Sequence, residues 1–276
     1  MGLLKDKILQ SSWAHGKMTR VRRKAKIAAL SCTHSPFTPP ETHKWLLDTL
    51  SNIPDLTHFG HLGDVFEAGA ASVHVNEFDH TLSDEYEHAC NLLKSIRSVL
   101  PKDCIRWINT GNHDDNIKTQ DPRRIPKPLR GLVDWNLHPD FGEEFKDWYW
   151  VPYEKSSKGV YRVGQCHFYH GFDSSQNSDE LEGLQILGAC GWVPFSLTIR
   201  GHTHRPVEPT QSQRTAKIPL PFWYSNVGTC GPLRPEYMKR KDTSQWGTAL
   251  IVVECVWDRP SRLNGRCWDA ELVRMP

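Results

Sequence analysis

The sequence lacks the features that mark several classes of protein. No apolar run approaches the roughly 20 residues that a membrane-spanning helix needs. The first ten residues carry charges at Lys5, Asp6 and Lys7 and lack the apolar centre of a signal peptide. The formal net charge is only +2 in 276 residues, so net charge gives no reason to expect a nucleic-acid or membrane surface. We therefore expect a cytoplasmic protein with no membrane partner.

The cysteines also lack the spacing of a disulfide framework or a zinc knuckle. No two of the eight form a C-x-x-C pair. Cysteines scattered singly through a chain of this length are typical of reduced thiols. This pattern agrees with a cytoplasmic location. The positions are Cys32, Cys90, Cys104, Cys166, Cys190, Cys230, Cys255 and Cys267.

The chain reads as a single domain preceded by an arm. Residues 1–26 are polar and end in a basic run, and a solvated lead-in explains them better than a nucleic-acid-binding arm. Residues 27–276 contain enough apolar residues, within an overall fraction of 38%, to bury a core. An irregular insertion at about 117–158 is rich in Pro, Arg and Trp. We interpret 27–276 as one domain with this insertion.

Strand and helix patterns alternate in the first half of this domain. Strands are predicted over 27–31, 56–62 and 104–108, with helices over 41–50 and 84–100 between them. Further strands are predicted over 160–169, 195–199, 223–227, 248–256 and 266–273. Alternation of this kind predicts a layered α/β fold.

Five short polar clusters each follow one of these strand patterns. They are Cys32-Thr33-His34, Gly63-Asp64, Gly111-Asn112-His113-Asp114, His170-Gly171 and Gly201-His202-Thr203-His204. Open α/β sheets hold their ligand sites in the loops beyond strand ends. His202 and His204 are two residues apart, so on an extended segment their side chains point the same way. Imidazoles from such loops, with Asp64 as a bridging carboxylate, predict a two-metal hydrolase.

The order and spacing of the clusters resemble the calcineurin-like metallophosphoesterase superfamily. Its pattern is D-x-H, G-D, G-N-H-D/E, H and G-H-x-H, and four of these five motifs match in full between residue 27 and about residue 230. The resemblance implies a two-sheet β-sandwich flanked by helices. It also implies phosphoester hydrolysis with two divalent ions, which are Mn, Zn or Fe in that family.

The resemblance further implies a role for each site residue. The implied ligands are Cys32, His34, Asp64 and His204 for one ion, and Asp64, Asn112, His170 and His202 for the other. His113 is implied to be the general acid or a transition-state stabiliser. Glu67 is its expected orienting partner, with a helix-start carboxylate as an equal alternative. His167 rivals His170 as a ligand, whereas we interpret His58 and His61 as strand and turn residues.

Cys32 stands where the family pattern has Asp, and three alternatives follow. A ligating thiolate would favour Zn or Fe over Mn, because it is a soft ligand. If Cys32 does not ligate, then His34, Asp64 and His204 still form a workable three-ligand site. In the third alternative the first site is lost and the protein is a binding module.

The function that we expect is phosphodiester hydrolysis by a two-metal-activated hydroxide, with His113 protonating the leaving oxygen. Arg123 and Arg124 in the basic insertion are predicted to attract a phosphate-rich substrate such as a nucleotide or nucleic acid, although a solvated loop explains them equally well. A phosphomonoesterase and an inactive scaffold are the alternatives. Ala68 argues against a protein phosphatase, since that branch has Arg there. The sequence does not indicate an oligomeric state.

Overall fold

Two β-sheets organise the residues that the computed structural model describes, which are 24–69, 80–119, 142, 144–214, 221–235, 242–256 and 265–276. The strands are β1 (Lys24–Leu30), β2 (His58–His61), β3 (Ile105–Asn109), β4 (Tyr149–Val151), β5 (Tyr161–Val163), β6 (Cys166–Phe168), β7 (Leu197–Arg200), β8 (Val207–Gln211), β9 (Trp223–Asn226), β10 (Ala249–Val256) and β11 (Trp268–Arg274). The helices are α1 (Pro40–Ser51), α2 (Leu82–Val99), α3 (Asn112–Thr119) and α4 (Ser178–Ala189).

Parallel strands form the centre of each sheet. The first sheet has the order β11-β10-β1-β2-β3-β4, and β1 to β4 are mutually parallel. The second has the order β5-β6-β7-β9-β8, in which β6, β7 and β9 are parallel. Antiparallel strands complete both sheets. The carboxyl ends of the central strands therefore lie at one edge of each sheet.

Strand β1 shows why the two sheets pack as layers. Its residues alternate between two apolar clusters. Ala28 and Leu30 face α1 and α2, whereas Ile27 and Ala29 face the second sheet, where Phe168 and Ile199 are buried. Since both faces are covered, residues 27–30 of this strand are all apolar and buried. The expected two-sheet sandwich flanked by helices is confirmed.

Local sequence signals set the helix ends. Pro40 occupies the first turn of α1, where its missing N–H costs nothing. Thr81 and Asp84 form a capping box at the start of α2, with the Asp84 N–H donating to Thr81 Oγ1 at 3.2 Å. Within the described residues, no helix is long and apolar enough to cross a membrane.

The structure differs from the predicted elements in several places. The single strand predicted over 160–169 is wrong, because a turn with Gly164 at φ 59° folds it into the antiparallel pair β5 and β6. The helices α3 and α4 and the strands β4 and β8 were not predicted, and β4 lies inside the insertion that was expected to be irregular. Strand β1 begins at Lys24, inside the stretch assigned to the arm. Residues 1–23 and most of the insertion lie outside the described residues.

Two glycines test how tightly the sandwich is packed. Gly60 in β2 is covered by the Trp107 indole, which a Cβ would overlap, whereas Gly188 in α4 faces open space. We expect Gly60→Ala to lower the free energy of unfolding by about 1–3 kcal/mol. Gly188→Ala should raise it, by up to about 1 kcal/mol. Urea denaturation of both variants measures the difference, and equal stabilities would contradict this account of the packing.

Candidate metal centre

The five predicted segments converge at the carboxyl ends of the parallel strands. Three of them follow β1, β2 and β3, which are parallel neighbours in the first sheet. The other two follow β6 and β7, which are parallel neighbours in the second sheet. Contacts between the loops join the two sheets, because His34 after β1 meets His204 after β7. The centre thus lies where both sheets end.

The first ligand group consists of Cys32, His34 and His204. Their ligand atoms lie within 4.8 Å of one another, and all three residues are buried. The Nε2 atoms of His34 and His204 are 3.2 Å apart. A thiol and imidazoles are donor types that Zn and Fe accept. With Asp64, these are the residues that the sequence predicts for one ion.

The residues predicted for the other ion, Asp64, Asn112, His170 and His202, are called the second ligand group. His170 Nε2 lies 3.1 Å from both Asp64 Oδ2 and Asn112 Oδ1. His170 Nδ1 donates to the Leu62 carbonyl at 2.7 Å, which turns Nε2 towards Asp64 and Asn112 and makes Nε2 the nitrogen that a metal would bind. The ring centres of His170 and His202 are 5.2 Å apart. The sequence predicts this set for the other ion.

Asp64 lies between the two groups. Its Oδ2 is 3.9 Å from His34 Nε2 and 3.1 Å from His170 Nε2. Its Oδ1 accepts the backbone N–H of His113 at 3.0 Å. Burial opposes ionisation of the carboxyl, but His170 and His113 lower its pKa well below the usual value. Asp64 therefore has the position and the negative charge that the bridging prediction requires.

Cys32 is also close to both groups. Its Sγ lies within 4.8 Å of ligand atoms in each of them. Burial and the charge of Asp64 raise the pKa of this thiol well above its usual value, although the Ser31 hydroxyl and the His202 N–H lower it. The N–H of His202 donates to Sγ at 3.4 Å. A bound metal would have to displace the thiol proton, because only the thiolate is a strong ligand.

Backbone strain concentrates at the same residues. Cys32, His34, Asp64, His202 and His204 have φ between 48° and 68°. They are five of the eight non-glycine residues with positive φ in the described part of the chain. This conformation costs of the order of 1–3 kcal/mol for each such residue and is retained mainly at functional sites. The strain indicates that these loops are shaped by the centre.

Burial keeps two imidazoles of the centre neutral. It lowers the pKa of His202 to about 3 and the pKa of His204 well below its usual value. His204 Nδ1 is buried and has no hydrogen-bond partner among the described residues. A buried polar atom without a partner costs free energy, which a ligand would recover. The donors of both groups therefore fit divalent ions.

Glu67 differs from its expected role in one respect. Its carboxylate was predicted to orient His113, but Oε1 is 3.7 Å from His113 Nδ1, whereas Oε2 is 2.8 Å from His34 Nδ1. His113 Nδ1 instead donates to the backbone carbonyl of Glu67 at 2.7 Å. Burial lowers the pKa of His113, but the carboxylates of Asp64 and Glu67 raise it above its usual value. Residue 67 thus contacts His113 mainly through its main chain.

Asp114 is a site residue that the sequence analysis missed. Its buried carboxylate accepts the N–H groups of Asp64 and Gly111 at 2.8 Å, of Val65 at 3.0 Å and of Phe66 at 3.1 Å. These bonds join the loop after β2 to the loop after β3. The signal was present, because Asp114 is the last residue of the G-N-H-D cluster.

Aromatic side chains border the centre on two sides. The Trp246 ring lies edge to face with His204, with centres 4.2 Å apart. On the other side, Tyr153 is edge to face with His170 at 5.9 Å and stacks on Phe172 at 4.6 Å. None of these three residues was singled out from the sequence, since aromatic residues in loops carry no characteristic spacing.

Other predicted residues lie away from the centre or outside the described residues. Arg123 and Arg124 lie outside the described residues, so their role in substrate binding stays a prediction. His167 points away from the ligand groups, and its Nδ1 is 3.1 Å from the Gln165 carbonyl. His61 is the last residue of β2 and is held by Thr33 Oγ1 at 3.0 Å and by the Gly63 N–H, in agreement with its interpretation as a strand or turn residue and not a ligand.

Comparisons with known proteins assign no family. No protein-family model matches the sequence, and no curated protein matches it. Vps29 of Chaetomium thermophilum is a similar solved structure, with a TM-score of 0.35 and 11% identity over 91% of this chain and 98% of that chain. The purple acid phosphatase PPD1 from yellow lupin (Lupinus luteus) seeds is another similar structure. Its TM-score is 0.40 and its sequence identity is 12%, over 91% of this chain and 54% of that chain. TM-scores below 0.5 identify neither a family nor an activity.

Replacing Asp64 tests the bridging position. We expect Asp64→Asn to lose both ions together, because the amide lacks the charge that both ligand groups share. Metal content after dialysis against a fixed free-metal concentration measures this. Asp48→Asn, at an exposed residue of α1, is the control and should keep both ions. Loss of a single ion would refute the bridging assignment.

Replacing Cys32 tests the thiol ligand. We expect Cys32→Asp to shift the preference from Zn towards Mn by about tenfold or more, because a hard carboxylate replaces a soft thiolate. Competition between the two metals for the purified protein gives the ratio, with Cys190→Asp in α4's C-terminal cap as the control. Unchanged metal preference and content in Cys32→Asp would exclude Cys32 as a ligand.

Proposed function

We propose that this protein is a metal-dependent phosphoester hydrolase and, within that class, a phosphodiesterase. The observation that carries the proposal is the convergence of the two ligand groups from five separate segments of the chain. The motif resemblance described above predicts this chemistry for the same residues. A chance meeting of loop residues would not concentrate backbone strain at five of them.

The chain supplies seven residues to hold the metals. Cys32, His34 and His204, with Asp64, would bind one ion, and Asp64 with Asn112, His170 and His202 would bind the other. Two divalent ions in such a centre neutralise phosphate oxygens and allow water to act as the nucleophile at neutral pH. Asn112 is a neutral ligand, so it adds no negative charge beside an anionic phosphate.

His113 is the residue that we propose as the general acid. It is about a quarter exposed, with a side-chain exposure of 24%, in contrast to the buried His34 and His170. Its Nδ1 is fixed by the Glu67 carbonyl and its backbone N–H by Asp64, so the ring position is set from two sides. The Nε2 atom is then the one that would deliver a proton to the leaving oxygen. Such a step contributes about 10²- to 10⁴-fold to the rate.

The finer substrate assignment depends mainly on the sequence. A nucleotide or nucleic acid is proposed because basic residues, including Arg123 and Arg124, follow the His113 loop in the chain. The border of aromatic rings formed by Trp246 and Tyr153 is compatible with a substrate that carries a flat group. A phosphomonoesterase and an inactive scaffold are the alternatives that the assay below must separate.

Hydrolysis of bis(p-nitrophenyl) phosphate by the purified protein, with Mn, Zn and Fe supplied in turn, tests the proposal. We expect metal-dependent release of p-nitrophenol. Turnover of p-nitrophenyl phosphate but not of the diester would indicate a monoesterase instead. Absence of turnover on both substrates by protein that contains two bound ions would favour the scaffold.

His113→Ala separates catalysis from metal binding. We expect this variant to lose about 10²- to 10⁴-fold in turnover while its metal content stays unchanged, because we propose His113 as a proton donor and not as a ligand, although its ligand atom lies within 4.8 Å of those of His34 and Asp64. His88→Ala, at an exposed position of α2, is the control and should retain both. If His113→Ala lost its metals as well, the role of His113 would be structural.

A further inference from the structure

A buried ion cluster lies behind the metal centre. Arg200, the last residue of β7, is only 1% exposed. Its Nη1 lies 3.0 Å from Glu182 Oε2, and its Nε lies 3.5 Å from Asp179 Oδ1. Both acidic residues are on α4, and both are buried. A third contact is made by Arg200 Nη2, which donates to the Asp173 carbonyl at 2.7 Å.

Such a cluster is an expensive way to stabilise a fold. Removing charges from water costs several kcal/mol for each ion, and apolar residues of similar volume often stabilise as well or better. Arg200 is nevertheless as buried as the apolar β7 residues Leu197 and Ile199, so its charge is removed from water. The cluster is therefore better explained by the geometry that it imposes.

The cluster holds the loop that carries His170. Both carboxylate oxygens of Glu182 accept the N–H of Phe172 at 3.1 Å. Gly171, between His170 and Phe172, has φ +116° and packs so closely on Arg200 that a Cβ would lie 2.6 Å from the guanidinium. The carbonyl of His170 itself accepts the N–H of Gly201 at 3.0 Å. The position of His170 is thus tied to Arg200 and Glu182.

The same cluster holds the loop that carries His202. Arg200 is followed directly by Gly201 and His202. The side-chain amide of Asn226 donates to Asp179 Oδ1 at 2.8 Å and to the Gly201 carbonyl at 2.9 Å. Asp179 is therefore linked to the backbone beside His202 both through Arg200 and through Asn226.

We infer that Arg200, Asp179 and Glu182 position His170 and His202, and so control the affinity of the second ligand group for its ion. They act through the ligands and touch neither metal nor substrate. The inference rests on the two-ion centre of the proposed function, but it does not require that the centre be hydrolytic. It predicts that a change in the cluster affects one of the two ions selectively.

Glu182→Gln is the test, because the amide keeps the shape of the side chain and removes its charge. We expect one of the two metal equivalents to bind about 10- to 100-fold more weakly, as for other partners that orient metal ligands. The other equivalent should bind as in the unmodified protein. Stepwise affinities from chelator competition, together with the visible spectrum of the Co(II)-loaded protein, measure this.

Glu180→Gln is the matched control. Glu180 lies on the same helix and also pairs with an arginine, with Oε2 3.0 Å from Arg214 Nε. That arginine is 47% exposed and lies away from the centre. We expect both metal affinities of Glu180→Gln to be unchanged. If Glu182→Gln fails to fold without metal, Asp179→Asn provides the same comparison, since it keeps the Arg200–Glu182 pair.

The outcomes distinguish this inference from the proposed function. Equal weakening of both ions, or a loss of metal-free stability with both affinities unchanged, would overturn the positioning role. Two tightly bound ions without hydrolysis in the unmodified protein would overturn the proposed activity and leave the positioning role intact. Fewer than two bound ions in the unmodified protein would overturn both.

Discussion

The carboxylate of Asp114 is the interaction on which the geometry of the centre depends. It accepts four backbone N–H groups, from both the loop after β2 and the loop after β3. Burial and the charge of Asp64 nevertheless raise its pKa from 3.8 to about 6. A carboxyl whose pKa is higher in the folded state than in the unfolded chain lowers stability as the pH rises through that interval. Asp114 therefore contributes order to the loops at some cost in stability, and it fixes where Asp64 and His113 can lie.

A buried charged side chain also holds the ligand loops of the second sheet, but it is a cation and not an anion. In that sheet the buried Arg200 has a role comparable to that of Asp114. It links the loops after β6 and β7 to carboxylates on α4. In both sheets a buried charged side chain contacts backbone or carboxylate groups just behind the ligand loops. The left-handed backbone at residues such as His202 and His204 is unfavourable by itself, so surrounding bonds must hold it. Apolar side chains could not provide these bonds. The N–H and C=O groups of the loops are not paired within a strand or helix, so they need polar partners from elsewhere in the chain.

Much of the centre could be predicted from the sequence because its candidate ligands lie in short clusters that are recognisable along the chain. Each cluster follows a strand, and parallel strands that end at one edge bring such clusters together. Contacts between side chains distant in the sequence could not be predicted, such as those of Glu67 with His34 or Glu182 with Arg200. Helix α4 was missed for a related reason. Its buried face includes Ser178, Asp179 and Glu182, so the apolar stripe that marks a packed helix is interrupted by residues that serve the ion cluster.

If Cys32 is a ligand, as we propose, the electrostatics of its thiol would influence which metal the first ligand group can hold. Its thiol is fully buried beside Asp64, and both features oppose ionisation. Only a cation bound close to Sγ can compensate the cost of forming a thiolate there, and it must bind strongly enough to displace the proton. Soft or borderline ions such as Zn gain more from a thiolate than Mn does. An Asp at this position would be ionised more easily and would accept harder ions. A metal bound by Cys32 would therefore couple the protonation of this buried thiol to the choice of metal.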